Sequence, residues 1–265
     1  MLTEGNRRSS GRTRQMERAL ALDPNLIDAA SQLIINRTDR GEIGNAYAEA
    51  SALVKRRPDS PRAHFALSYV LRYAGLLGES ANECDIALAL DRGNYQNRSC
   101  SWTFMQLGQA QKAMEFVRLD AGSEWAARQT AFILLGQGKL SEAQQIIQRT
   151  SDLPLMGRDV VQACLDPQQT SQLDRAARKM EADAFGQLDA EPRYHTGALL
   201  SYCGQKAAAV RLLRSALEQN YCAYTALKSD PMLAKLRGTP EFSELVSAAK
   251  ECQNRFLAER NERPQ

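Results

Sequence analysis

Residues 17–24 read Glu-Arg-Ala-Leu-Ala-Leu-Asp-Pro, and the phrase returns in altered form as Leu-Val-Lys-Arg-Arg-Pro at residues 53–58 and as Cys-Asp-Ile-Ala-Leu-Ala-Leu-Asp-Arg at residues 84–92. The interval from Pro24 to Pro58 is 34 residues, and a further 34 residues lead to Arg92. Proline cannot continue the hydrogen-bonded ladder of a helix, so the phrase marks the end of a helical unit. We therefore predict an array of helical repeats.

Glycines and small residues recur at nearly the same interval. Glycine allows the chain to turn back between two helices at low steric cost, and it occurs at Gly41, Gly75, Gly108 and Gly138. Small residues suit the place where the second helix of a pair packs on the first, and they occur at Ala46, Ser80, Ala113 and Ala143. The second series has intervals of 34, 33 and 30 residues. A 34-residue unit of helix, turn and helix is typical of the tetratricopeptide repeat.

The pattern predicts an all-α fold, a tetratricopeptide-type helix-turn-helix solenoid with a right-handed superhelix, irregular C-terminal repeats and a capping helix. We expect helix pairs at residues 27–37 with 43–56, 61–73 with 78–90, 94–107 with 110–118, 123–136 with 140–150, and 190–203 with 206–219. Four segments result: a disordered basic N-terminal segment at 1–13, a regular repeat array at 14–150, irregular helical repeats at 151–225, and a short turn with a capping helix at 226–265.

Composition limits the kinds of partner. The chain has 34 Lys and Arg against 31 Asp and Glu, a formal net charge of +3. That excess is too small for binding driven by phosphate neutralisation, so nucleic acid is not an expected partner. No stretch approaches the roughly 20 apolar residues that a spanning helix needs, and no apolar run follows the first arginines. We therefore predict a cytoplasmic protein without a membrane partner.

The six cysteines support the same location at this stage. They are Cys84, Cys100, Cys164, Cys203, Cys222 and Cys252, and no two have the spacing of a zinc or thioredoxin-like site. We interpret them as buried small hydrophobic side chains, kept as free thiols in a reducing compartment.

The sequence offers no catalytic or metal-binding constellation. Neither His64 nor His195 has a cysteine, carboxylate or second histidine three or four residues after it. Ser123 lacks the G-x-S-x-G context of a nucleophile and precedes a helix, so we predict that it caps that helix. The chain is therefore expected not to be an enzyme and to need no cofactor or metal.

One pattern on the first helices of the repeats points to function. Aromatic and arginine residues at helical intervals of 3 and 4 share one face of each first helix, which would line a concave groove. Such side chains are common binding hot spots, and an acidic peptide would fit them. The predicted partner-binding groove contains Arg62, Phe65, Tyr69, Arg72, Arg98, Trp102, Arg128 and Phe132. The alternative is that the aromatic residues fill gaps in the core while the arginines lie in solvent.

The repeats resemble bacterial tetratricopeptide repeats. Residues 61–150, together with Tyr221-Cys222-Ala223-Tyr224 and the stretch from Ser229-Asp230-Pro231 to Phe242, resemble the C-terminal repeat regions of bacterial serine/threonine kinases and winged-helix transcriptional regulators. The resemblance implies a scaffold or sensor segment in bacterial signalling. The leading interpretation is a protein-protein interaction module, and the alternative is the regulatory segment of such a kinase or regulator whose effector domain is absent here.

Overall fold

The computed structural model of the protein describes residues 4–150, 157–166 and 168–262. Those ranges contain α-helices and short 3₁₀ turns and no β-strand. The helices of the first half are α1 (Glu4–Leu22), α2 (Ile27–Asp39), α3 (Ile43–Arg56), α4 (Pro61–Tyr73), α5 (Leu77–Leu90), α6 (Cys100–Gln106), α7 (Ala110–Val117), α8 (Glu124–Gly136) and α9 (Leu140–Arg149). The second half contains α10 (Arg158–Leu165), α11 (Thr170–Phe185), α12 (Glu191–Tyr202), α13 (Lys206–Glu218), α14 (Tyr224–Ser229) and α15 (Pro240–Glu262).

The repeat features found in the sequence produce these helix pairs. The predicted turn glycines have positive φ angles, for example +79° at Gly41 and +74° at Gly75, a conformation that costs glycine little. Ala46, Ser80 and Ala113 are fully buried between paired helices, as is Ala143. The all-α solenoid prediction is confirmed.

Two helix starts differ from the predicted ones. The helix predicted from residue 94 opens as a 3₁₀ turn at Tyr95–Ser99 and becomes α-helical at Cys100; Asn94 caps the turn by accepting a hydrogen bond from the Gln96 amide. Helix α1 begins at Glu4, inside the segment predicted to be disordered, since no proline interrupts it before Pro24. Residues 1–3, 151–156, 167 and 263–265 lie outside the described residues, including the parts of the predicted segments that fall on them.

The prediction of free thiols is wrong. Every cysteine lies in the described part of the chain and is paired, in the disulfides Cys84–Cys100, Cys164–Cys203 and Cys222–Cys252. The sequence spacing gave no hint, because each bridge joins residues 16 to 39 positions apart that meet only in the folded chain. The cysteines therefore no longer support a reducing compartment, and the cytoplasmic location stays a prediction.

The C-terminal segment crosses the turns of the repeat array like a strap. We call residues 219–233 the strap, and it meets successive turns of the array in chain order. Three of its side chains donate hydrogen bonds to carbonyl groups: Asn220 Nδ2 to Gly41 at 3.0 Å, Thr225 Oγ1 to Gly75 at 2.9 Å, and Ser229 Oγ to Gln106 at 2.6 Å. Farther along the strap, Pro231 lies against Gly136. A Cβ atom added to Gly75 would lie 1.9 Å from the Cys222 carbonyl oxygen. Glycine is needed there for close approach as well as for the turn.

Helix α12 lies against the first helices of the array. Most of its residues are buried, including the charged Glu191 and Arg193. Its N-terminal half contacts α4 and α6, which belong to repeats more than 80 residues earlier in the chain. The array is therefore closed by its own C-terminal repeat, and one hydrophobic core continues from α4 to α15.

Candidate peptide-binding groove

The predicted groove residues form rows across the first helices of three successive repeats. Corresponding residues should be 33 and then 30 positions apart, as the turn glycines Gly75, Gly108 and Gly138 are. This spacing gives two outer rows, Arg62 with Tyr95 and Trp125, and Phe65 with Arg98 and Arg128. It also gives two inner rows, Tyr69 with Trp102 and Phe132, and Arg72 with Met105 and Leu135. We call these the outer half and the inner half of the groove.

The inner half is buried by the protein itself. Arg72 has no exposed surface, and Tyr69, Trp102 and Phe132 are each less than one-tenth exposed. The covering groups come from α12 and the residues just before it. Of these four predicted partner-binding residues, Arg72 and Trp102 contact α12 directly, and Tyr69 and Phe132 pack beside them.

The Arg72 guanidinium holds a carboxylate of α12. Its Nε donates to Glu191 Oε1 at 2.6 Å and its Nη2 donates to Glu191 Oε2 at 3.3 Å. Burial disfavours both charges, yet the carboxylate raises the pKa of Arg72. Burial alone would raise the pKa of Glu191, but Arg72 and His195 lower it to about 2. The pair is ionised and closes the inner half.

His195 covers the neighbouring aromatic residue. Its ring stacks on Trp102 with centroids 3.3 Å apart, and Trp102 meets Phe132 edge to face at 6.0 Å. Burial lowers the pKa of His195 despite Glu191, which lies four residues before it. Neither ring nitrogen has a hydrogen-bond partner among the described residues; Nε2 is 3.8 Å from Glu191 Oε1. The sequence search missed this Glu–His pair because it considered only residues after each histidine.

Two tyrosines of α4 extend the buried polar network. The Tyr69 hydroxyl donates to Asp39 Oδ1 at 2.9 Å, and the Tyr73 hydroxyl donates to Asp189 Oδ1. Burial, together with the nearby Glu191 charge, raises the pKa of Asp189 to about 6, and burial with Asp189 raises the pKa of Asp39. Sequence reasoning identified neither aspartate, since their partners are 30 and 116 residues away.

The outer half is partly open: Tyr95 is exposed, and Trp125 and the three arginines are partly exposed, whereas the predicted groove residue Phe65 is buried at 4% exposure. The guanidinium carbon of Arg98 lies 5.3 Å from the Tyr95 ring centroid and 5.4 Å from that of Trp125, a cation–π arrangement. The Tyr95 side chain is among the most exposed large hydrophobic groups, at 53%. Arg98 Nε is also 3.3 Å from Asp120 Oδ2. Arg62 lies 5.6 Å from the Phe65 ring, donates to Gln32 at 3.3 Å and is 3.8 Å from Asp28.

Arg128 differs from the other arginines of the groove. It is partly exposed, and no hydrogen-bond or ion-pair partner for it exists among the described residues. Burial lowers its pKa, and only the charge of Glu124, one turn earlier on α8, acts in the other direction.

His64 and Ser123, two of the three residues weighed for chemistry, have structural roles. His64 Nδ1 lies 2.6 Å from Glu83 Oε2, and its Nε2 lies 3.0 Å from the Pro58 carbonyl. Ser123 caps α8, as predicted, by accepting a hydrogen bond from the Ala126 amide at 3.0 Å. Within the described ranges, no group of three or more His, Cys, Asp or Glu side chains could hold a metal ion. None of the helices in those ranges combines the length and apolar character required to span a membrane.

Comparison with known proteins supports the fold. No protein-family model matches the sequence, and no curated protein matches it. Several solved structures are similar in fold, among them these two. A chain of the APC/C hetero-tetramer Cut9–Hcn1 has a TM-score of 0.58 and 14% identity, over 89% of this chain and 52% of that one. A tetratricopeptide repeat protein from Parabacteroides merdae ATCC 43184 has a TM-score of 0.51 and 12% identity, over 90% of this chain and 91% of that one. This chain thus spans about half the length of the first and has the fold of a tetratricopeptide repeat solenoid.

Proposed function

We propose that this chain is a non-catalytic protein-interaction module that binds a peptide or protein segment on the outer half of its groove. The supporting observation is the Tyr95–Arg98–Trp125 arrangement, in which an arginine lies between two aromatic rings on a surface that the chain leaves open. Aromatic and arginine side chains supply large contact area and charge-assisted hydrogen bonds, which is the composition of binding hot spots.

The division of the groove defines what can bind. A ligand cannot reach the inner rows, because Glu191 and His195 occupy them. The available surface crosses the first helices of three repeats, which suits a short extended segment; it is formed by Arg62, Tyr95, Arg98, Trp125 and Arg128. The similar Cut9–Hcn1 structure is a hetero-tetramer, so a solenoid of this fold can assemble with another protein. The role as the regulatory segment of a bacterial kinase or winged-helix regulator stays a prediction.

Selection of displayed random peptides on the immobilised protein tests the proposal. Titration by fluorescence polarisation then measures the selected peptides on the parent and on variants with parental melting curves. Tyr95→Ala and Arg98→Glu should each weaken binding by about tenfold, the size of an ordinary hot-spot loss. Arg56→Glu is the control, because Arg56 is exposed on the second helix α3. Equal binding by Arg98→Glu and the parent, with loss in Arg56→Glu, would place the partner on the outer helices and refute the proposal.

A further inference from the structure

The groove contains four arginines, and the chain supplies a carboxylate to three of them. Arg72 holds Glu191, Arg98 is 3.3 Å from Asp120, and Arg62 is 3.8 Å from Asp28. Arg128, which is mostly buried, has no ion pair or hydrogen bond at contact distance among the described residues, and the Glu124 carboxylate one turn earlier on α8 acts on its charge only from farther away. A desolvated charge without a partner is costly, so its persistence in a groove indicates a ligand that pairs with it.

The position of Arg128 on α8 is at the boundary between the two halves. Phe132 lies one helical turn after it on α8 and touches Trp102, which stacks on His195. The two ring nitrogens of His195 are buried and have no hydrogen-bond partner in the described ranges. Arg128 therefore lies where the open surface meets the part of the groove that α12 fills.

The inner half shows what kind of ligand this face accepts. Two carboxylates reach it from one short segment: Asp189 lies just before α12, and Glu191 is the first residue of α12. Asp189 binds Tyr73, and Glu191 binds Arg72. The face thus already binds a peptide segment of the chain through acidic side chains, and the Tyr69 ring lies beside both of the residues that bind them, Arg72 and Tyr73.

We propose that a partner peptide inserts one Asp or Glu carboxylate at Arg128, at the edge of the filled inner half, and rests an apolar neighbour on the rings of Trp125 and Tyr95. The arrangement repeats in the outer half what Glu191 does on Arg72 in the inner half. This inference deepens the proposed function and rests on it, since it names the chemistry that the outer half recognises.

A matched pair of probes tests the carboxylate. One is a fluorescein-labelled octapeptide with a central Leu-Glu-Phe, and the other has Gln in place of Glu. The parent should bind the Glu peptide about tenfold more tightly, because charge-assisted hydrogen bonds to Arg are the strong ones. Arg128→Gln should abolish this preference and leave affinity for the Gln peptide unchanged. Arg56→Gln is the control and should retain the preference.

The outcomes separate this inference from the proposed function. Equal binding of the two peptides to the parent, or a preference that survives Arg128→Gln, would overturn the carboxylate site. Failure of both peptides to bind at millimolar concentration would overturn it as well. Displayed peptides that depend on Arg98 and Tyr95 but carry no acidic residue would leave the interaction module standing while removing the acidic ligand.

A second inference comes from the disulfides. The bridges join α5 to the start of α6, α10 to the residue after α12, and the strap to α15, with Cα atoms 5.9, 5.2 and 5.2 Å apart. Six cysteines allow 15 complete pairings, and cysteines that merely filled a core would have no reason to meet two by two. Glutathione and thioredoxin keep cytosolic thiols reduced, so a structural set of three bridges is typical of oxidising environments.

We infer that this chain matures in an oxidising compartment, where the third bridge fixes the strap across the repeat turns. The test uses protein from its native source, alkylated with N-ethylmaleimide before purification without reductant. Intact mass should show no added alkyl group, and non-reducing digestion should yield the three linked peptide pairs. Six alkylated thiols, or other pairings, would overturn the inference.

Discussion

Breaking the buried Arg72–Glu191 pair tests whether the chain fills half of its own groove. Glu191→Gln keeps the size of the side chain and removes its charge, which leaves the fully buried Arg72 cation without a counter-charge. Holding the pKa of Glu191 at about 2, against an ordinary value of 4.5, corresponds to about 3 kcal/mol. Removing one partner of a buried pair costs about 3–5 kcal/mol, so the two arguments agree.

The assay is guanidinium unfolding at pH 7, followed by far-ultraviolet circular dichroism. Glu181→Gln is the matched control, because Glu181 also makes a two-point contact, with Arg211 at 2.7 and 2.9 Å, but that arginine is more than half exposed. Water screens such a pair, so its loss should cost less than about 1 kcal/mol. The double variant Arg72→Met with Glu191→Leu should regain most of the stability lost in Glu191→Gln.

Equal effects of Glu191→Gln and Glu181→Gln would contradict the reasoning. They would mean that Arg72 is hydrated and that α12 does not lie in the inner half. The groove would then be open over all four rows, and Trp102 and Tyr69 would return as partner-binding candidates.

Three further predictions concern stability. Gly75→Ala should lower the free energy of unfolding by at least about 2 kcal/mol, because its Cβ would collide with the strap. Gly138→Ala has open space and should lose only about 1–2 kcal/mol, for its positive φ, and thermal melting compares the two variants. Ala113→Leu should cost about 1–3 kcal/mol by overpacking, and a parental melting curve would contradict the repeat register. Burial raises the pKa of Asp230 to about 6, so its stabilising contribution is complete below about pH 4 and is lost as pH rises through 6. Asp230→Asn should therefore match the parent at pH 4 and exceed its stability by up to about 3 kcal/mol at pH 8, in denaturant unfolding at both values.

The sequence predicts the local part of this fold well. The helix pairs, the turn glycines and the buried small residues all follow from contacts within one repeat, where i+3 and i+4 spacing determines which face is buried. Ala46 and Ser80, for example, lie at the same position of successive repeats and are both fully buried. Because each repeat packs through the same positions, the same kinds of residue recur at those positions, and the period is visible in the sequence.

The closure of the array is not visible in this way. Each repeat is rotated slightly relative to the one before it, and the total rotation over several repeats determines where α12 meets α4. No pattern within a single repeat contains that information. The one signal was Arg72 itself, a charged residue between Leu71 and Tyr73 in an otherwise apolar stretch of α4. An arginine there must have a partner, but the sequence could not show whether the partner was a ligand or Glu191.

The closed inner half changes how the remaining arginines should be interpreted. In an open groove, Arg128 would be one solvated cation among several, and its lack of a partner would mean little. Beside a face that α12 has already desolvated, the same side chain keeps a charge that water reaches only in part. The inner half, by binding α12, therefore strengthens the case for a ligand on the outer half. It creates a low-dielectric boundary at which Arg128 can distinguish a partner that carries a carboxylate from one that does not.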